Sequence, residues 1–140
     1  MKLERLSDLF VYTKYLQKRT LIAVNAVDLH TLEAIFEAIK LGIVSGVVTG
    51  NQNEIIERCE QNGMDHQLIR IIHTESEEQA AQLAVAEVKK TPESILMKGL
   101  ISSDKFMRAI LNKEFGLLPV GGVLSHVSVI DNLNYHKLLI

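Results

Sequence analysis

At 140 residues, with 47% hydrophobic and 23% charged residues, the chain has the size and make-up of one soluble globular domain. Fifteen basic against seventeen acidic residues leave a net charge of −2 with no basic block, which argues against a nucleic-acid partner, since phosphates demand clustered Lys and Arg. One cysteine, Cys59, excludes an internal disulfide, no Cys/His spacing suggests a metal site, and no apolar run approaches the roughly 18 residues of a membrane helix.

Met1 to Phe10 mixes charges into its apolar positions and lacks a signal-peptide core, so a cytoplasmic protein is the simplest account. Leu3 to Leu16 is amphipathic, with Leu6, Leu9, Phe10 and Leu16 near helical spacing. Thr20 to Asn25 is a short apolar run that reads as a buried strand. Asp28 then suits an N-cap, and Leu32, Ile35, Phe36 and Ile39 follow the i, i+3, i+4, i+7 spacing of a helix that Gly42 can stop.

The pattern repeats. Ile43 to Thr49 is a second buried strand, followed by a turn at Gly50 and Asn51 and a helix carrying Ile55, Ile56 and Cys59, with Gly63 just past its end. Leu68 to Ile72 is a third strand, and Ser76 to Lys90 a helix with Ala80, Leu83, Ala84 and Val88 inward, closed off by Pro92. Ser94 to Lys98 is a fourth strand, after which Ser102 or Ser103 caps a helix bearing Phe106, Met107, Ile110 and Leu111. Continuously apolar strands alternating with amphipathic helices predict βαβ units, hence a three-layer α/β/α domain with a mainly parallel sheet covered on both faces.

After Gly116 the rhythm breaks. Val123 to Ile130 alternates like a strand exposed on one side, Asp131 to Asn134 reads as a turn, and Tyr135 to Ile140 as another apolar strand. Residues 1–116 are thus expected to form the parallel domain and 117–140 the start of a hairpin leading toward a second domain. The apolar ending at Leu138 to Ile140 reads as truncation.

Open parallel sheets bind ligands outside the carboxyl ends of their strands. Four junctions are therefore candidates: Asn25 to Asp28, Thr49 to Asn51, His73 to Ser76, and Lys98 to Ser103. The last carries the most chemistry. Lys98 leaves a buried strand, Gly99 permits close backbone approach, and Ser102 and Ser103 open a helix whose free N–H groups attract anions. Arg108, leaning toward that N-terminus, could reach the same anion. Against this, serine at a helix start serves first as a cap, and Asp104 with Arg108 has ordinary i, i+4 ion-pair spacing. Neither a Walker loop nor a Rossmann fingerprint is present.

Ser125 and His126 suggest a nucleophile and base, but neighbours in a strand point to opposite faces, and no Gly-x-Ser-x-Gly elbow is present. Structural or substrate-positioning roles are favoured for them. Cys59 falls on an apolar helix face, where an inert thiol is expected.

The segment from Ile95 to Leu117, reading ILMKGLISSDKFMRAILNKEFGL, resembles the phosphate acetyl/butyryltransferases, especially the butyryltransferase branch. Leu124 to Val129 and then Tyr135 to Ile140 continue that resemblance in order, and earlier Val24 to Asp28 with Leu32 to Ala34 is similar to the family's first βα unit. It implies exchange of acyl-CoA and phosphate for acyl phosphate and CoA, with CoA as a substrate and no cofactor. It also implies an isopropylmalate dehydrogenase-like two-domain fold with its site in the interdomain cleft, and assembly into a homo-oligomer. Lys98, Gly99, Ser102, Ser103 and Arg108 would line the phosphate or acyl-phosphate side of that cleft, with Ser125 and His126 near it. The loop Leu117 to Gly122 lacks the basic residue often found there in the family. The family's Ser/Arg and Asp groups that handle CoA fall outside this chain, which assigns it no catalytic residue and predicts no transferase activity for it alone. A non-catalytic domain binding a phosphorylated or CoA-like ligand, or an interaction module, are the competing readings.

Overall fold

Residues 4–131 and 138–139 are described by the computed structural model. They fall into two units, one made of Lys18–Val120 and a smaller one drawn from Met1–Gln17 and Gly121–Ile140.

In the larger unit the elements alternate strictly: β1 (Arg19–Val24), α2 (Leu29–Lys40), β2 (Val44–Gly50), α3 (Gln52–Gln61), β3 (Ile69–His73), α4 (Glu77–Lys90), β4 (Ile95–Lys98) and α5 (Ser103–Ile110), with a 3₁₀ turn at His66–Leu68 before β3; α1 (Leu6–Thr13) belongs to the smaller unit. The four expected strands are present, each shifted by at most a residue at its ends. All pairings are parallel, and the order is β3-β2-β1-β4.

Alternation along β1 divides its side chains between two cores. Leu21 and Ala23 join Leu32, Ile35, Ile55 and Cys59 from α2 and α3. Ile22 and Val24 join Ala80, Ala81, Ala84 and Val85 of α4 and Ala109 of α5. The sheet is therefore covered on both faces, giving the three-layer α/β/α arrangement.

Helix ends follow local chemistry. Asp28 accepts from the Thr31 N–H at 3.0 Å, Asn51 from Asn53 and Glu54, Ser76 from Gln79, and Ser102 from Lys105. Gly42 follows α2 at φ +74°, the left-handed cap expected of it. In α4 the buried face is Ala80, Ala81, Ala84 and Val85, while Leu83 and Val88 sit at its margin. In α5 the small Ala109 is buried, Phe106 packs against the core, and Leu111, the residue after the helix, is exposed.

In the smaller unit, α1 (Leu6–Thr13) is preceded by a turn in which Asp8 accepts from the N–H groups of Glu4 and Arg5, each at 2.9 Å. Its strands are β5 (Ile130–Asp131) and β6 (Leu138–Leu139), paired antiparallel, and Asp131 accepts from the Leu6 N–H at 3.1 Å. The alternation at Val123 to Ile130 predicts a longer strand. Only its last residue pairs, and Val123, Val127 and Val129 stay exposed in irregular backbone. The expected turn after Asp131, and residues 135–137 and 140 of the expected final strand, lie outside the described residues. No described helix is long and apolar enough to cross a membrane.

Candidate functional site

The strand order places β1 between β2 and β4, so the chain leaves β1 toward β2 on one side and reaches β4 on the other. This reversal is a topological switch point, and the crevice beyond it, at the carboxyl ends of β1 and β4, is where such sheets hold ligands.

The backbone there is tightly laced. Gly99 N–H donates to the Val24 carbonyl at 2.9 Å, and Leu100 N–H to the Asn25 carbonyl at 3.0 Å. Asn25 takes a left-handed conformation, φ +52°, which asparagine tolerates better than most residues. Its side-chain amide donates to the Leu100 carbonyl at 2.6 Å. The Asn25 N–H points away from the sheet ladder and is met by the Thr49 hydroxyl at 3.1 Å. Gly99 has no alternative: an added Cβ would stand 2.3 Å from the Val24 oxygen and 2.8 Å from the Asn25 oxygen.

From this lacing the chain enters α5. Ser102 accepts from the Lys105 N–H at 3.2 Å, so its hydroxyl is the cap, and Ser103 is the first helical residue. Both serines are exposed, as is Lys98. Three cations belong to this region, and two are engaged by carboxylates. Lys105 bridges Glu77 at 2.8 Å and Glu78 at 2.9 Å; these bonds, Glu77 first, hold its ammonium well above the usual lysine range, and the Lys105 bond holds the Glu78 carboxyl below its own. Arg108 does lean toward the helix start, but its guanidinium pairs with Asp104 at 2.6 Å. It borders a groove of about 260 Å³ between α4 and α5, with Gln82, Asn112 and Phe115. Lys98 alone of the three has no ion pair among the described residues. The structure thus brings Lys98, Gly99, Ser102 and Ser103 together at one strand-to-helix junction and gives Arg108 a competing partner.

A second cavity of about 260 Å³ opens over the carboxyl ends of β1, β2 and β3, bordered by Asn25, Asn51, Thr74 and Ser76. Glu54, Glu75 and Glu77 also border it, with no Lys or Arg, so its charge disfavours an anion. His73 stands beside it, accepting from the Gln52 N–H at 3.1 Å and meeting Glu75 at 2.5 Å. A wider groove of about 800 Å³ lies between α2 and residues 63–68, at the amino ends of the strands and away from the switch point.

Ser125 and His126 belong to the smaller unit, in irregular backbone rather than a strand. The imidazole Nε2 lies 3.5 Å from the Ser128 hydroxyl, and no bond joins it to Ser125. Among the described residues no group of three His, Cys, Asp or Glu could hold a metal ion.

Sequence reading placed Thr49 at the start of a candidate junction, Thr49 to Asn51, and gave its hydroxyl no role. Its signal was slight: one of two hydroxyls, with Ser45, in a run otherwise of Val and Gly, immediately before a turn.

No family profile matches the chain. The chain is 35% identical over 122 residues to the phosphate butyryltransferase of Clostridium acetobutylicum, an alignment covering 87% of this chain and 40% of that protein. It is 31% identical over 94 residues to the phosphate acetyltransferase of Rickettsia typhi, covering 67% of this chain and 27% of that one. Among solved structures, a branched-chain phosphotransacylase from Enterococcus faecalis V583 superposes with a TM-score of 0.51 over 66% of this chain and 33% of its own, at 20% identity, a likeness of fold. The chain spans about two-fifths of the length of the butyryltransferase it matches. Over most of its length it is related to the phosphate acetyl/butyryltransferase family.

Proposed function

We propose that this chain supplies the phosphate-holding side of a phosphate acyltransferase, in which a phosphate oxygen attacks the thioester carbonyl of an acyl-CoA. The carbon–sulfur bond then breaks, acyl phosphate forms, and the departing thiolate takes a proton to give CoA. The observation that carries the reading is the position of Lys98, a cation without a carboxylate partner among the described residues, at the carboxyl end of β4, beside the switch point.

In this reading Lys98 balances the phosphate charge and the N–H groups at the start of α5 donate to its oxygens. Gly99 lets the backbone come close, and the hydroxyls of Ser102 and Ser103 complete the donors. Arg108 joins only by releasing Asp104, an exposed pair that dissolves cheaply in water. Ser125 and His126, which belong to the smaller unit, are substrate-positioning groups in this reading. An acyl-CoA and phosphate are the small-molecule substrates, cytoplasmic location follows from them, and the working form is a homo-oligomer.

The test is a phosphate titration of the ¹⁵N-labelled chain followed by amide NMR. Amides from Lys98 to Asp104 should shift saturably with inorganic phosphate and with butyryl phosphate, and Lys98→Ala should weaken both. Shifts confined to other regions, or none, would sink the reading. Light scattering checks the oligomer, and a monomer at all concentrations would remove that part.

A further inference from the structure

We propose that Thr49 is a positioning residue for the Lys98–Ser103 junction, acting through Asn25; the proposal rests on the phosphate reading above and deepens it. Thr49 is 0% exposed. A hydroxyl buried in that way is costly unless bonded, and here it is bonded twice. It accepts from the Asn25 N–H at 3.1 Å and donates to the Ala80 carbonyl of α4 at 3.0 Å, a better fit than the Ala23 carbonyl at 3.4 Å.

The consequence runs outward from the core. A left-handed Asn25 turns its N–H out of the parallel ladder, and the hydroxyl of Thr49 is what receives it. Held in that turn, Asn25 offers Leu100 both a carbonyl acceptor at 3.0 Å and an amide donor at 2.6 Å. Leu100 lies two residues after Lys98 and two before Ser102. Its two bonds, with that of Gly99 to Val24, set where the Lys98 end of β4 and the start of α5 stand relative to β1. Thr49 touches none of the anion-holding groups. It fixes the frame they stand on.

A valine at 49 keeps the shape and β-branching but leaves the part-buried Asn25 N–H without that acceptor, whereas serine keeps the hydroxyl. Three ¹⁵N-labelled chains should be compared: wild type, Thr49→Val and Thr49→Ser. Amide exchange at Asn25, Gly99 and Leu100 is read against Val47 in the sheet, and inorganic phosphate is titrated at matched folded fraction. The expected result for Thr49→Val is selectively faster exchange at Gly99 and Leu100 with a several-fold rise in phosphate Kd, and for Thr49→Ser recovery of both. Phosphate affinity unchanged in Thr49→Val, or lost equally in Thr49→Ser, would overturn the proposal. If wild type itself does not bind phosphate, the phosphate reading is what fails, and exchange alone then decides: selective loosening at Leu100 upholds the frame, uniform or absent loosening overturns it. Should Thr49→Val not fold, Asn25→Gly carries the same readouts. It permits the left-handed backbone and the Thr49 bond while deleting the amide donor to Leu100, and an unchanged Leu100 would again overturn the idea.

Discussion

Gly99 runs so close to Val24 that a methyl group on the glycine would overlap the Val24 carbonyl oxygen, at 2.3 Å. Both contacts within 3 Å are backbone oxygens, which cannot swing aside as a flexible side chain can. Gly99→Ala should therefore part β4 from β1 at their carboxyl ends and destabilise the larger unit by roughly 2–4 kcal/mol, as overpacking of a fixed backbone does. Gly42→Ala is the contrast. An added Cβ there meets nothing within 4 Å, and the cost is that of forcing alanine to φ +74°, about 1 kcal/mol. Urea midpoints of the two variants should rank in that order.

Asp28 caps α2, and replacing it with alanine should cost about 1 kcal/mol at neutral pH. Burial pushes its carboxyl up, but hydrogen bonds from Thr31 outweigh that and hold it below the ordinary aspartate range. A carboxyl depressed in the folded state gives stability that is complete above its unfolded value near ~4 and is lost as pH falls through the folded value. The gap in urea midpoint between wild type and Asp28→Ala should accordingly be full at pH 7 and shrink on the acid side. A gap independent of pH would show that the charge plays no part.

Lys105 joins α5 to the start of α4 through Glu77 and Glu78. With Lys105→Met the Glu78 carboxyl, now held down chiefly by the lysine bond, should return toward its ordinary range. Carbon-detected NMR titration of the glutamates reads this directly. Because both partners are solvent-accessible, raised salt should reproduce part of the effect in the wild-type chain.

Cys59 is fully buried among Leu32, Ile35 and Ile55, and burial pushes its thiol above the ordinary range. The native chain should leave an alkylating reagent unconsumed, with reaction appearing only as denaturant opens the unit. Cys59→Ser should destabilise by roughly 1–3 kcal/mol, because a hydroxyl at that position finds no partner on an apolar face.

The four parallel strands were legible because each is a short apolar run between turn-forming residues, a pattern with few other solutions. Their order was not. Nothing in the run from Ile95 to Lys98 says that it pairs with β1 rather than β3, and the switch point exists only through that pairing. Arg108 shows a different limit. Its spacing allowed both an anion contact and an Asp104 pair, and the structure holds the pair. The alternation from Val123 to Ile130 misled because a period of two describes a strand only where another strand lies alongside, and there only Ile130 and Asp131 pair. The role of the Thr49 hydroxyl was hidden for a related reason: it meets Asn25 only once β1 and β2 are side by side.

The strand order also carries an implication for assembly. β1 and β2 close on each other across one helix, whereas β4 reaches β1 only after α2, β2, α3, β3 and α4 have been laid down between them. The entropy of closing that longer loop must be met before its contacts reward it. The crevice is consequently the expected seam of the unit, where the bond from Gly99 to Val24 forms once the rest of the sheet offers a template.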